Sequence, residues 1–376
     1  MRNKIITAIF IMYILFFAIG SIIVKDRVFS DMENRNLTQF PKISAKSVFA
    51  GDFSDEFESY MSDQIIFKDF LVKLKVTENR TLNQTNVNNV YFADDMYIRD
   101  YKENTAQIDK NVGFVNEFAE SNPDLSVTWL IAPNACYVYE DKLPSHTVVD
   151  SQGDTVNHIK DMVDASINLV DVSDDLIKNR EGYIYYNTDH HWTMNGAYIG
   201  YKKLCEALEI EAVAESEYNI RVASDEFLGT LYSDAPVFNA KTDDIILYEK
   251  KGGSYTVNYE DEGFTQDSLY NYDNLLIKDK YQTYLDGNHA IIRIENNNYV
   301  SQGDKTGDRV IVVKDSYAHS LLPLLADNYK EMIVVDLRYY HEKTVSDLAK
   351  EEKISDIIFI NNIDFINSDD NFLWLM

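Results

Sequence analysis

An α/β fold built on a mainly parallel sheet is the architecture this sequence predicts. Three observations carry it: strand-like runs alternate with helical periodicity over most of the chain, short apolar β-branched runs end in polar turns, and the residues suited to chemistry cluster at those turns. Strand signals recur at Val90 to Phe92, Ser126 to Ala132, Ile167 to Val170 and Tyr183 to Tyr186, with a helical stretch near Thr105 to Glu120. Later come Arg309 to Val313, Met332 to Val335 and Asp356 to Ile360, with a helix around Lys343 to Glu352. Residues 212–300 break the rhythm, with short strand-like runs at Asp244 to Tyr248 and Ala290 to Ile294 among many Tyr, Asn and Asp, and read as a β-rich insertion beside the site. Tyrosine faces with polar neighbours suit sugar contact.

The chain opens Met1-Arg2-Asn3-Lys4 and then runs apolar from Ile5 to Val24, about the length that crosses a bilayer as a helix. A secretory core is shorter and Ala18-Ile19-Gly20 is a poor cleavage site, so residues 1–25 are expected to be a retained anchor, with secretion as the alternative. Arg2 and Lys4 then stay inside, and the rest lies outside the cytoplasm. Residues 26–85 are expected to form a stalk plus one amphipathic helix over 52–78, marked by Phe53, Phe57, Tyr60, Met61, Ile65 and Phe70. Residues 86–376 form the main domain. A net charge of −27, from 62 acidic and 35 basic residues, argues against nucleic acid as a partner. The two cysteines, Cys136 and Cys205, read as buried thiols in preference to a disulfide.

The chemistry centres on Thr188-Asp189-His190-His191-Trp192, which follows a strand-like segment from Gly182 to Asn187. In extended backbone, Asp189 and His191 share a face while His190 points the other way. A carboxylate beside an imidazole fixes the ring's tautomer and stabilises its protonated form, so the pair calls for a Ser or Cys nucleophile. Ser316 is the candidate: it follows the apolar run Arg309 to Val313 and precedes Ala318, Leu321, Leu322 and Leu325 at helical spacing. At such an elbow, backbone amides and a helix dipole can stabilise an oxyanion. Other readings of the same residues are a helix cap at Asp315-Ser316, and a divalent ion held by the acid and the two imidazoles.

These residues resemble the DHHW proteins of Gram-positive bacteria. The likeness rests on Asp189-His190-His191-Trp192, on Val313-Lys314-Asp315-Ser316-Tyr317, and on the run from Val334 to Tyr340. Softer matches are Glu33-Asn34-Arg35 with Leu37 and Phe40-Pro41, then Phe53, Phe57, Tyr60 and Asp63, Ala132-Pro133 with Leu143-Pro144, and Gly229-Thr230-Leu231-Tyr232. That family is similar to the periplasmic alginate O-acetyltransferases, which implies an SGNH-hydrolase-like fold in circularly rearranged order, the acid and base preceding the serine. The resemblance implies Ser316 as nucleophile, His191 as base and Asp189 as orienting acid. It makes Asn361 and Asn362, after the last strand, oxyanion candidates, and Tyr317, Arg338, Trp192 and His190 substrate-side candidates. Lys314 departs from the usual Gly before Asp-Ser.

The expected function is an extracytoplasmic O-acetyltransferase that modifies a cell-surface or secreted polysaccharide through an acyl-enzyme, needing no cofactor or metal. The resemblance implies an acetyl supply from a membrane-bound O-acyltransferase partner. A carbohydrate acetyl esterase uses the same groups with water as acceptor, and a catalytically silent glycan-binding or scaffold subunit is the third reading.

Overall fold

The computed structural model describes residues 2–82, 84–301 and 308–376. The chain forms two units, Met1–Asn88 with Thr230–Ala240, and Asn89–Gly229 with Lys241–Met376.

The larger unit holds an eight-stranded sheet. Its strands are β1 (Ser126–Ala132), β2 (Asn168–Asp171), β3 (Tyr255–Tyr259), β4 (Phe264–Gln266), β5 (Ile291–Asn296), β6 (Arg309–Lys314), β7 (Glu331–Val335) and β8 (Asp356–Asn362). In space they run β4-β3-β5-β7-β6-β8-β1-β2. Neighbours are parallel from β7 through β6, β8 and β1 to β2. From β4 through β3 and β5 to β7 they are antiparallel. The parallel strands read as continuous apolar runs because helices such as Thr105–Ser121, Met194–Ala207 and Val345–Glu352 cover their faces. Val310, Ile311, Val312, Ile333, Phe359 and Trp129 are all buried.

Four features differ from expectation. The 212–300 segment is β-rich, but its last part is no appendage: β3, β4 and β5 continue the main sheet, and only Tyr218–Phe227 with Asp243–Lys250 forms a separate two-stranded ribbon. Val90–Ala93 pairs with Met96–Arg99 outside the main sheet. Tyr183 to Tyr186 is not a strand. One isolated bridge, Tyr185 to Trp192, closes the loop that carries the acid and histidines, because the backbone amides beyond Tyr186 turn toward a buried side chain instead of a neighbouring strand. Finally, the single helix expected over 52–78 is two, Asp52–Gln64 and Lys68–Thr81, separated at Phe67 by a left-handed backbone with φ 60°.

In the smaller unit the apolar N-terminal segment is one helix, Arg2–Ile23. The expected stalk holds the short pair Phe29–Ser30 with Arg35–Asn36 and a helix at Ala45–Ala50. Glu33, Arg35 and Asp63 prove architectural here. Arg35 donates two bonds to Asp63, at 2.9 and 2.6 Å, and the buried Lys68 ammonium bridges Glu33 and Asp63 at 2.8 Å each. The Arg35 bonds hold the Asp63 carboxyl well below the usual carboxylate range, against the opposing effect of burial.

Candidate active site

The Asp189 turn is fixed from a distance. The buried Asp243 carboxylate accepts the backbone N–H groups of Asn187 (2.8 Å) and Thr188 (2.7 Å), the Asn187 amide (2.9 Å), and the hydroxyls of Thr188 (2.6 Å) and Tyr183 (2.8 Å). Burial nevertheless raises its pKa. At the tip, Asp189 Oδ1 accepts the His191 backbone N–H at 3.0 Å and lies 2.6 Å from His191 Nδ1. This is a local Asx turn, so acid and base meet through a tight loop and not through strand alternation. His190 does not point away as an extended chain would require. Its ring centroid lies 3.8 Å from that of His191, and burial, with the adjacent His191 ring, pushes its pKa down to about 3.

Ser316 ends the strand-to-turn elbow after β6, where Asp315 performs the capping. One Asp315 oxygen accepts the Tyr317 N–H at 2.7 Å and the other the Asn362 N–H at 2.6 Å. The helix expected to follow is only a 3-10 segment, Ser316–Ser320, and the α-turn Leu322–Leu325, which supplies little dipole. The half-buried Ser316 hydroxyl is left to face His191, with Oγ 2.8 Å from Nε2. With Nδ1 carrying its proton toward Asp189, Nε2 is an acceptor for that hydroxyl. Asp189, His190 and His191 also lie close enough together to reach one cation. Both His191 nitrogens are already hydrogen-bonded, however, and an ion would have to displace one of those bonds.

The remaining candidates divide. Tyr317 is buried, receives the Asn134 amide at 3.1 Å and donates to the His190 carbonyl. Trp192 is fully buried and donates to the Tyr317 carbonyl at 2.8 Å. Both brace the two loops against each other, with their polar groups engaged inside the fold. Arg338 is likewise drawn inward, donating to both Asp336 oxygens and to Asn288. Asn361 and Asn362 are the last residues of β8 and not a loop beyond it. Asn361 Oδ1 accepts Trp129 Nε1 at 3.1 Å, and Asn362 Oδ1 caps the helix Ile363–Ser368. The Nδ2 of each is buried without an acceptor among the described residues. The bond from the Asn362 N–H to Asp315 ties the end of β8 to the elbow that carries Ser316.

Three contributors escaped the sequence reading. Asp243 is one. Tyr281, from the insertion, stacks on His191 with centroids 3.9 Å apart and planes 10° apart, and donates to the Ser316 carbonyl at 3.0 Å. Lys314, noted only as a departure from the usual Gly, is a fully buried ammonium that bonds Asp336 and His319 at 2.7 Å each. Burial drives the Lys314 pKa down and His319 well below its ordinary value, so the His319 ring is a neutral acceptor for the lysine. Cys136 and Cys205 are buried free thiols.

Gly229, marked in sequence only as part of a soft match, packs against the acid. A Cβ there would lie 2.3 Å from Asp189 Cβ and 2.4 Å from Oδ2, distances no relaxation of a flexible chain end can absorb. Gly229→Ala is therefore expected to swing the carboxylate away from His191 and to lower more than about tenfold any reaction that uses the pair, since misplacing a catalytic group by 1 Å can cost 10²-fold. Steady-state kinetics with circular dichroism checks this; an active, folded alanine variant contradicts it.

The sequence profile described as DHHW protein matches residues 76–335. No curated protein matches the chain significantly. Among solved structures, a DHHW family protein from Eubacterium siraeum is similar at TM-score 0.65 and 23% identity, over 77% of this chain and 95% of that one. PatB1 of Bacillus cereus, with a sulfonyl adduct, is similar at TM-score 0.64 and 22% identity, over 76% and 98% of the two chains. The O-acetyltransferase domain of Pseudomonas putida AlgJ aligns at TM-score 0.47 and 13% identity, over 74% and 92%. The fold is the SGNH-hydrolase-like one expected from the sequence.

Proposed function

The chain belongs to the DHHW protein family, and from that membership and the site geometry we propose that it is an extracytoplasmic O-acetyltransferase acting on a cell-surface or secreted polysaccharide. The observation that carries the reading is the continuous line from Asp189 Oδ1 through His191 to Ser316 Oγ, at 2.6 and 2.8 Å. A silent scaffold has no need of that alignment.

Ser316 Oγ attacks the acetyl carbonyl carbon as His191 Nε2 takes its proton. The tetrahedral oxyanion is met by the Ser316 amide and by the unpartnered Nδ2 of Asn362. His191 returns the proton to the leaving group, giving acetyl-Ser316. An acceptor hydroxyl then loses its proton to His191, attacks the ester carbon and releases Ser316 with its proton restored. Asp189 stabilises the imidazolium in both halves, and Tyr281 stacked on the ring keeps it in plane with Ser316. Acetyl arrives from a membrane-bound O-acyltransferase, a supply that an anchor at Asn3–Ile23 suits.

The test offers purified protein an activated acetyl ester with oligosaccharide acceptors. Acetylated sugar in excess of free acetate, abolished by Ser316→Ala, is the expected result. Acetate alone makes the protein an esterase, and neither product makes it a scaffold.

A further inference from the structure

The long apolar helix does not leave the body of its unit freely at Ile23. Ser21 Oγ accepts the Ile66 backbone N–H at 3.1 Å, and Gly20 leaves room for the Ile66 side chain, whose Cδ1 lies 2.5 Å from where a Cβ would stand. Deeper still, Phe16 stacks on Phe67 with centroids 6.4 Å apart and planes 10° apart. Phe16 lies seven residues before the helix end, about 10 Å along its axis at 1.5 Å per residue. If the helix spans a bilayer, Phe67 is carried below the level of Ile23 and into hydrocarbon.

Phe67 is shaped for that position. It has φ 60°, a conformation that costs a bulky side chain roughly 1–3 kcal/mol and persists only where the surroundings require it. The turn displays the ring with 63% of its surface uncovered. Phe70 is exposed beside it at 53%. Two apolar clefts of about 590 and 600 Å³ run along the helix, one lined by Phe16, Val24, Ile65 and Phe67, the other by Ile22, Ile23, Phe40 and Met61. Phe40, Met61 and Phe57 are exposed along the second cleft at 53%, 40% and 37%. An apolar area of this kind is abnormal beside water. Charged groups edge the same clefts: Arg27 donates to both Asp69 oxygens at 2.9 Å beside Phe67, and Tyr60 reaches Asp26 at 3.1 Å beside Phe40 and Met61. Apolar surface edged by charged groups is what an interfacial segment shows.

We propose that the turn Ile65–Phe67 and the aromatic face around it are seated in the outer leaflet of the membrane, with lipid acyl chains filling the two clefts. The N-terminal unit is then held against the bilayer by a second contact besides the spanning helix, and its orientation to the membrane is fixed. This rests on the reading of residues 1–25 as a retained anchor.

The native thiols are buried, so nitroxide labels at single introduced cysteines report depth in the full chain reconstituted into phosphatidylcholine vesicles. Labels at Phe16→Cys, Phe67→Cys and Met61→Cys are expected to be several-fold less accessible to a water-soluble nickel relaxant than one at Ser59→Cys, and more accessible to oxygen. A protected label at 16 with labels at 67 and 61 as wet as that at 59 overturns the seating and leaves the anchor standing; a docking surface for another membrane protein then accounts for the exposed rings. A wet label at 16 overturns the anchor and the seating with it.

Discussion

Replacing His191 by alanine is expected to lower acyl transfer by about 10⁴-fold or more, the scale on which base removal acts in related triads. The ring is bonded to both the Asp189 carboxylate and the Ser316 hydroxyl. Asp189→Asn is expected to fall by about 10⁴-fold as well, because an amide can accept the wrong tautomer and leave Nε2 protonated toward Ser316. His190→Ala separates the adjacent rings. With its pKa near 3 that imidazole is neutral at working pH; it lies against the His191 ring, its Nδ1 is 3.7 Å from Asp189 Oδ1, and its carbonyl accepts from Tyr317. A far smaller loss is expected. Kinetics on the three purified variants, matched for folding by circular dichroism, decide this: a dead His190 variant beside an active His191 variant contradicts the assignment.

The largest effect on stability is expected at Lys314. Its ammonium and the Asp336 carboxylate are fully enclosed, their side chains without measurable exposure. Burial opposes the Asp336 charge, while Lys314 and Arg338 hold its pKa below the ordinary range. Lys314→Met removes one cation and leaves the carboxylate on Arg338 alone, a change expected to cost about 3 kcal/mol, the lower end for breaking a buried pair. His319 also loses its donor, and its ring stacks near Tyr281, which in turn covers His191. Urea denaturation monitored by circular dichroism gives the number, and a midpoint unchanged from the parent contradicts the account. Glycine, the residue usual at this place in SGNH hydrolases, is not neutral here either, because Asp336 remains buried.

Much of this was legible because the signals are local. The strand Arg309–Lys314 reads as a buried run, and Asp189 and His191 are two residues apart, so a turn of either kind brings them together. What escaped depends on contacts over long separations. Asp243 meets Thr188 from 55 residues away and belongs to an Asp-Asp pair in an acidic chain, with no pattern to mark it. Tyr281 is one tyrosine among 26, and nothing in its neighbours announces the ring it covers. The break at Phe67 was invisible for another reason: apolar residues continue through Ile65, Ile66 and Phe70, so periodicity persists across a backbone that reverses its φ. Tyr317, Trp192 and Arg338 sat beside the right motifs, but proximity in sequence did not reveal that all three face inward.

The most direct test traps the covalent intermediate. Incubation with an activated acetyl ester, or with a sulfonyl fluoride, followed by peptide mass spectrometry is expected to put one adduct on the peptide carrying Ser316, absent from Ser316→Ala and strongly reduced in His191→Ala. An adduct on a peptide lacking Ser316, or transfer undiminished in the alanine variant, contradicts the account.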